Sequence, residues 1–79
     1  MNNKEKYTKV FTNCFEVNLE VCAGLKYTEI PAWDSVGHMA LISAIEDAFD
    51  IMMDTDDIID LNSYEKGMEI LAEKYDVEF

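Results

Sequence analysis

Trp33-Asp34-Ser35-Val36-Gly37-His38-Met39-Ala40-Leu41-Ile42-Ser43-Ala44-Ile45-Glu46 decides how the rest of the chain is read. Asp34 is a helix N-cap, because its carboxylate can accept from the unpaired backbone N–H groups of the first turn. Ser35 then takes the first helical position, with its hydroxyl at the positive end of the helix, where an anion is favoured. Val36, Met39, Ala40, Leu41, Ile42, Ala44, Ile45, Ala48 and Phe49 follow at helical spacing and give a wide apolar face. The expected unit is a core helix from Ser35 to Asp50 whose first turn presents a hydroxyl to solvent. Gly37 in that turn costs about 1 kcal/mol against Ala. Two explanations stand side by side: tolerance near a helix end, or close approach of a bulky group beside Ser35.

Working back toward the N-terminus, Tyr7, Val10, Phe11, Cys14 and Phe15 repeat at three and four residues, which predicts a helix from Asn3 to Val17. Asn2 with Glu5 is a capping-box variant. Lys4, Lys6 and Lys9 lie off the stripe and are expected in solvent. From Asn18 to Ala32 the pattern weakens, and Gly24, Thr28 and Pro31 punctuate it. Leu19, Val21, Leu25, Tyr27, Ile30 and Trp33 are too apolar for a free linker, so a long loop pinned by those side chains is expected. Toward the C-terminus, Asp54 or Thr55 caps a short third helix through Ile58 and Ile59. Asn62 with Glu65, or Ser63, starts a fourth helix of about twelve residues. Its expected inward positions are Tyr64, Met68, Leu71, Ala72 and Tyr75. Gly67 within it suggests close packing against another helix, and Val77-Glu78-Phe79 is a tail with Phe79 folding back. The chain is therefore expected to be all-α. It would be a single domain over residues 1–79, a small four-helix bundle of three long helices and one short, with a long loop between helices one and two.

The chain has 79 residues, 17 acids against 6 lysines, and a formal charge of −11. Such a charge repels nucleic acid and anionic membrane surfaces and suits partners with basic patches. Cys14 and Cys22 form no C-x-x-C pair and read as reduced thiols, consistent with a cytoplasmic setting. Asn2-Asn3-Lys4-Glu5-Lys6 precedes no apolar signal segment, and the uncharged run from Ser35 to Ile45 is too short to span a bilayer.

Asp34-Ser35-Val36, followed by a mostly apolar helix ending in Ile45-Glu46-Asp47-Ala48-Phe49, resembles the acyl carrier proteins and their peptidyl carrier relatives. The resemblance covers nearly the whole chain. It implies a carrier that is not an enzyme, with 4'-phosphopantetheine attached to Ser35. A phosphopantetheinyl transferase would join the arm using coenzyme A and magnesium, the family's aspartate at the position of Asp34 helping to hold that metal. The arm's thiol would carry an acyl or aminoacyl group as a thioester. Implied partners are the transferase, an acyl- or aminoacyl-loading ligase, and downstream synthases or transferases with basic patches; the carrier is expected to be a monomer. Asp34, Val36, Met39, Ser43, Asp47 and Asp56 match the family's partner-contact region. The family often has Leu-Gly ahead of the residue before the aspartate, where this chain has Ile30-Pro31-Ala32-Trp33. It often has acids at the positions of Gly37 and Ala40, and a bulky apolar residue at that of Ser43. The reading is a carrier of acyl chains, in fatty-acid, polyketide or surface-lipid assembly, and these departures point to a specialised pathway over general lipid synthesis. Aminoacyl transport, or an acidic interaction module with no arm, are the alternatives.

Three other patterns stand in the sequence. Ser35 with His38 suggests a nucleophile and a base, but His38 is the only histidine and no second element supplies an orienting acid and an oxyanion hole. His38 is expected as an exposed polar residue beside the arm. Asp54, Asp56, Asp60, Asn62 and Glu65 approach a calcium loop, yet Ile58 falls where an oxygen ligand is wanted and Ile59 where glycine is needed. Met39, Met52, Met53 and Met68 are read as adaptable interior side chains able to repack around a cargo.

Overall fold

The structure, a computed structural model, describes residues 2–79. It is all-helical, with α1 (Asn3–Phe15), α2 (Leu19–Cys22), α3 (Ser35–Phe49), α4 (Thr55–Asp60) and α5 (Tyr64–Lys74). Among the described residues there is no strand; Lys26 and Ser63 form one isolated antiparallel bridge.

The caps explain the helix limits. Asn2 Oδ1 accepts from the Glu5 N–H at 2.8 Å, and Ser63 Oγ accepts from the Lys66 N–H at 3.0 Å. Each is worth about 1 kcal/mol against an alanine cap. α1 stops at Phe15, two residues short of the expected Val17, because Glu16 turns left-handed at φ 54°. Asp50 ends α3 in the same way at φ 53°, its N–H donating to the Glu46 carbonyl.

The segment after α1 departs from expectation. Leu19–Cys22 forms an extra helical turn in what reads as loop, giving five helices where four are expected. Val21 and Cys22 both donate to the Asn18 carbonyl. The anchors also differ: Cys22, Leu25 and Trp33 are buried and Ile30 packs against the core, whereas Leu19 is 67% exposed and Val21 and Tyr27 also face outward. One apolar side chain per turn suffices to hold so short a piece, which leaves the others in water. Tyr27 N–H donates to Asn62 C=O and Tyr64 N–H to Leu25 C=O, stitching this segment to the start of α5.

Aromatic rings fill the core. Trp33 is fully buried, stacked on Phe15 at 5.2 Å between centroids and edge-on to Phe11 at 5.5 Å. Tyr7 packs against Phe11 and Tyr64, and its hydroxyl donates to the Tyr64 carbonyl at 2.7 Å. Burial, with Tyr64 nearby, raises the Tyr7 pKa well above its usual value, so the hydroxyl keeps its proton. This contact accounts for Gly67: a Cβ there would run into the Tyr7 hydroxyl. The inward face of α5 is Tyr64, Gly67, Ile70 and Leu71; Met68 and Tyr75 are half-buried, and Ala72 is exposed. α3 likewise buries only Leu41, Ile42 and Ile45. Phe79 folds back as expected, its ring meeting Tyr7 at 5.5 Å and Phe49 at 6.3 Å, and Val77 is buried as well. Lys6, expected in solvent, lies over the Phe49 ring at 4.9 Å.

Candidate functional site

The loop preceding α3 delivers Asp34 in extended backbone geometry, and Asp34 Oδ1 accepts from the Gly37 N–H at 2.8 Å. The first intrahelical bond runs from His38 N–H to Asp34 C=O at 2.8 Å. The Ser35 and Val36 amides therefore stand ahead of the ladder, at the end of the helix where its dipole is positive. Ser35 is exposed, and so are Asp34 and Val36 on either side of it. Gly37 has a cause that sequence alone does not show. A Cβ there would collide with the Ala32 carbonyl, so the lead-in backbone closes onto the first turn of α3 only because residue 37 has no side chain.

The sequence-derived contact residues fall mainly on one outer face. Val36, Met39, Ser43 and Asp47 are all exposed and follow helical spacing along α3, with Val36 at 77%. The expected wide apolar face is thus split. Leu41, Ile42 and Ile45 go to the core, while Val36, Met39 and Ala40 remain outside. Asp56 is exposed in the first turn of α4. Only Met53 is buried and Met68 half-buried; Met39 is 52% and Met52 84% exposed, which corrects the expectation that all four line an interior.

His38 is half-buried rather than exposed. Its Nδ1 accepts from the Trp33 indole N–H at 2.9 Å, and its Nε2 donates to the Ile58 carbonyl at 2.7 Å. An indole can only donate and a carbonyl can only accept, so the two partners fix the Nε2–H tautomer. With both ring nitrogens committed, His38 has no free lone pair to take a proton from Ser35. Beside it, Tyr27, His38, Ile59, Leu61 and Asn62 line a largely apolar cavity of about 230 Å³. Ser35 lies three residues before His38, one turn away on α3.

Asp57 is a buried carboxylate to which the sequence assigns no role beyond suiting a helix dipole. It pairs with Lys74 Nζ at 2.6 Å and accepts from the Tyr75 hydroxyl at 2.6 Å. That hydroxyl in turn accepts from the Asp54 N–H at 2.9 Å. The hydrogen bonds from Lys74 and then Tyr75 hold the Asp57 carboxyl below the usual carboxylate range. A polar cavity of about 290 Å³ lies over this network. The Asp57 oxygens are engaged there, and among the described residues no group of three or more His, Cys, Asp or Glu is placed to hold a metal ion. Cys14 and Cys22 are free thiols whose pKa values are pushed up by burial, away from reactivity.

Comparison with known proteins finds no matching family model, no matching curated protein and no matching solved structure. Among the described residues no helix is long and apolar enough to cross a membrane.

Proposed function

We propose that this protein is a carrier of the acyl carrier type, bearing 4'-phosphopantetheine on Ser35 and passing thioester-linked acyl groups between biosynthetic enzymes. The observation that carries the reading is the exposed Ser35 at the first position of a fifteen-residue helix capped by Asp34. The residues fit the group. The hydroxyl is accessible, the amides of Ser35 and Val36 can donate to a phosphodiester, and the helix dipole favours its charge. When bound, the arm would supply a terminal thiol that holds the cargo as a thioester.

The chain's own part is presentation. Asp34 fixes the first turn, and the contact between Ala32 and Gly37 sets the angle at which the loop enters it. The exposed Val36 and Met39 offer apolar contact, and Ser43, Asp47 and Asp56 complete a surface suited to an enzyme with a basic patch. Helices α1, α3 and α5, with the shorter α4, correspond on this reading to the carrier bundle, α2 being an added turn in its first loop. The apolar cavity beside His38 favours an acyl over a charged aminoacyl cargo.

The test is intact mass after incubation with coenzyme A, magnesium and a broad-specificity phosphopantetheinyl transferase. One phosphopantetheinyl group is expected on the wild type and none on Ser35→Ala. An unchanged wild-type mass, under conditions that convert a known carrier, overturns the proposal and leaves an acidic interaction module.

A further inference from the structure

Among the described helices of more than four residues, α4 is the shortest. It has six residues, its N-cap Asp54 makes no side-chain bond, and Ile59 faces out at 70% exposure. Asp57 ties it to Lys74 and Tyr75. At its N-cap the Asp54 N–H donates to the Tyr75 hydroxyl, and at its far end His38 Nε2 donates to the Ile58 carbonyl. That carbonyl lies in the last turn of α4, where backbone acceptors have no partner within the helix.

The imidazole that makes this bond is itself held. Trp33 is fully buried, clamped by Phe11 and Phe15 of α1, and its indole N–H sets the orientation and tautomer of His38. A rigid line therefore runs from α1 through Trp33 and His38 to the end of α4. His38 and Ile59 both line the solvent-open cavity of about 230 Å³, so the bond to Ile58 lies beside its wall.

We propose that the Trp33–His38–Ile58 relay is a latch that holds the last turn of α4 against α3. His38 is a positioning residue in this device, acting through the Ile58 carbonyl. The latch does not rest on the carrier reading.

Amide hydrogen exchange on the unmodified full chain tests the latch. The reporters are Ile58 and Leu61, whose N–H groups donate to Asp54 and Asp57 within α4, with Val10 and Phe11 of α1 as reference. In His38→Leu the α4 amides are expected to exchange about tenfold faster while the α1 amides keep their wild-type rates. His38→Gln, whose amide can still donate to Ile58, is expected to restore most of the protection. Trp33→Phe keeps an aromatic ring in the core but loses the indole donor. It should loosen the ring and give faster α4 exchange, while the bond to the Ile58 carbonyl keeps the Nε2–H tautomer. Unchanged α4 rates in His38→Leu overturn the latch. So do equal accelerations in α1 and α4, which make His38 a contributor to global stability alone. So do α4 rates in Trp33→Phe that stay at the wild-type values. Coenzyme A loading of the same samples reports separately on Ser35, so the latch and the carrier reading can fail independently.

Discussion

The Ala32 carbonyl occupies the space where residue 37 would carry a Cβ. The loop and the first turn of α3, the turn that carries the exposed Ser35, are thus fitted backbone to backbone. Because the obstructing atom is main chain, it cannot swing aside as a flexible side chain would.

Gly37→Ala gains about 1 kcal/mol of helix propensity and is expected to lose more than that through displaced backbone. A net fall in Tm of several degrees should follow. Gly24 is the control. Nothing lies within 4 Å of a Cβ there, and no described glycine has a positive φ. Gly24→Ala should therefore leave Tm unchanged or raise it slightly, by about 0.4–1 kcal/mol of stability. Thermal melts of the two variants check this, and a Gly37→Ala protein at least as stable as wild type would contradict the packing described.

The Asp57 network sets a pH dependence. Its folded pKa is lowered by Lys74 and Tyr75, so its contribution is present above the unfolded carboxylate pKa, about 3.9, and is lost as pH falls through the lower folded value. Lys74 runs the other way. Its pKa is raised, chiefly by the hydrogen bond to Asp57, so its contribution is present below the ordinary lysine value and is lost as pH rises through the folded one. Tyr75, raised by burial and then by Asp57, behaves likewise. Asp57→Asn should lower Tm at pH 7, and the gap to wild type should close below about pH 4. Melting curves from pH 2 to pH 8 read this directly; a gap that widens in acid would overturn the assignment.

Local chemistry made much of this structure legible in the sequence. Asn2, Asp34 and Ser63 cap as their residue types demand, and the 3–4 spacing of Tyr7, Val10, Phe11 and Phe15 marks the buried stripe of α1. Contacts between distant residues were not legible. Leu19–Cys22 has too few residues for periodicity to register, so its helical turn was hidden. The partners of Asp57 lie seventeen and eighteen residues away, and nothing in the acidic run distinguishes it from Asp56. His38 looks like a surface residue until Trp33 and Ile58 are brought to its two nitrogens. At the candidate site, hydropathy alone made α3 look more buried than it is, because it cannot separate a core face from the apolar outer face of Val36 and Met39.

Charge sets the last expectation. The chain carries −11, yet among the described residues the only ion pair is Lys74 with Asp57. Screening therefore has one attraction to weaken and many repulsions to relieve. Length decides the scale. The molecule extends 30 × 27 × 19 Å. At 0.01 M salt the screening length is about 30 Å, so nearly every acid repels every other. At 0.1 M it is about 10 Å, so only near neighbours such as Asp54, Asp56 and Asp60 still do. Tm should therefore rise steadily with sodium chloride between 0.01 and roughly 0.5 M, most steeply at the low end. An equal concentration of a neutral osmolyte should not reproduce that steep initial rise. A Tm that falls as salt is added would mean that attractions outweigh repulsions in the fold.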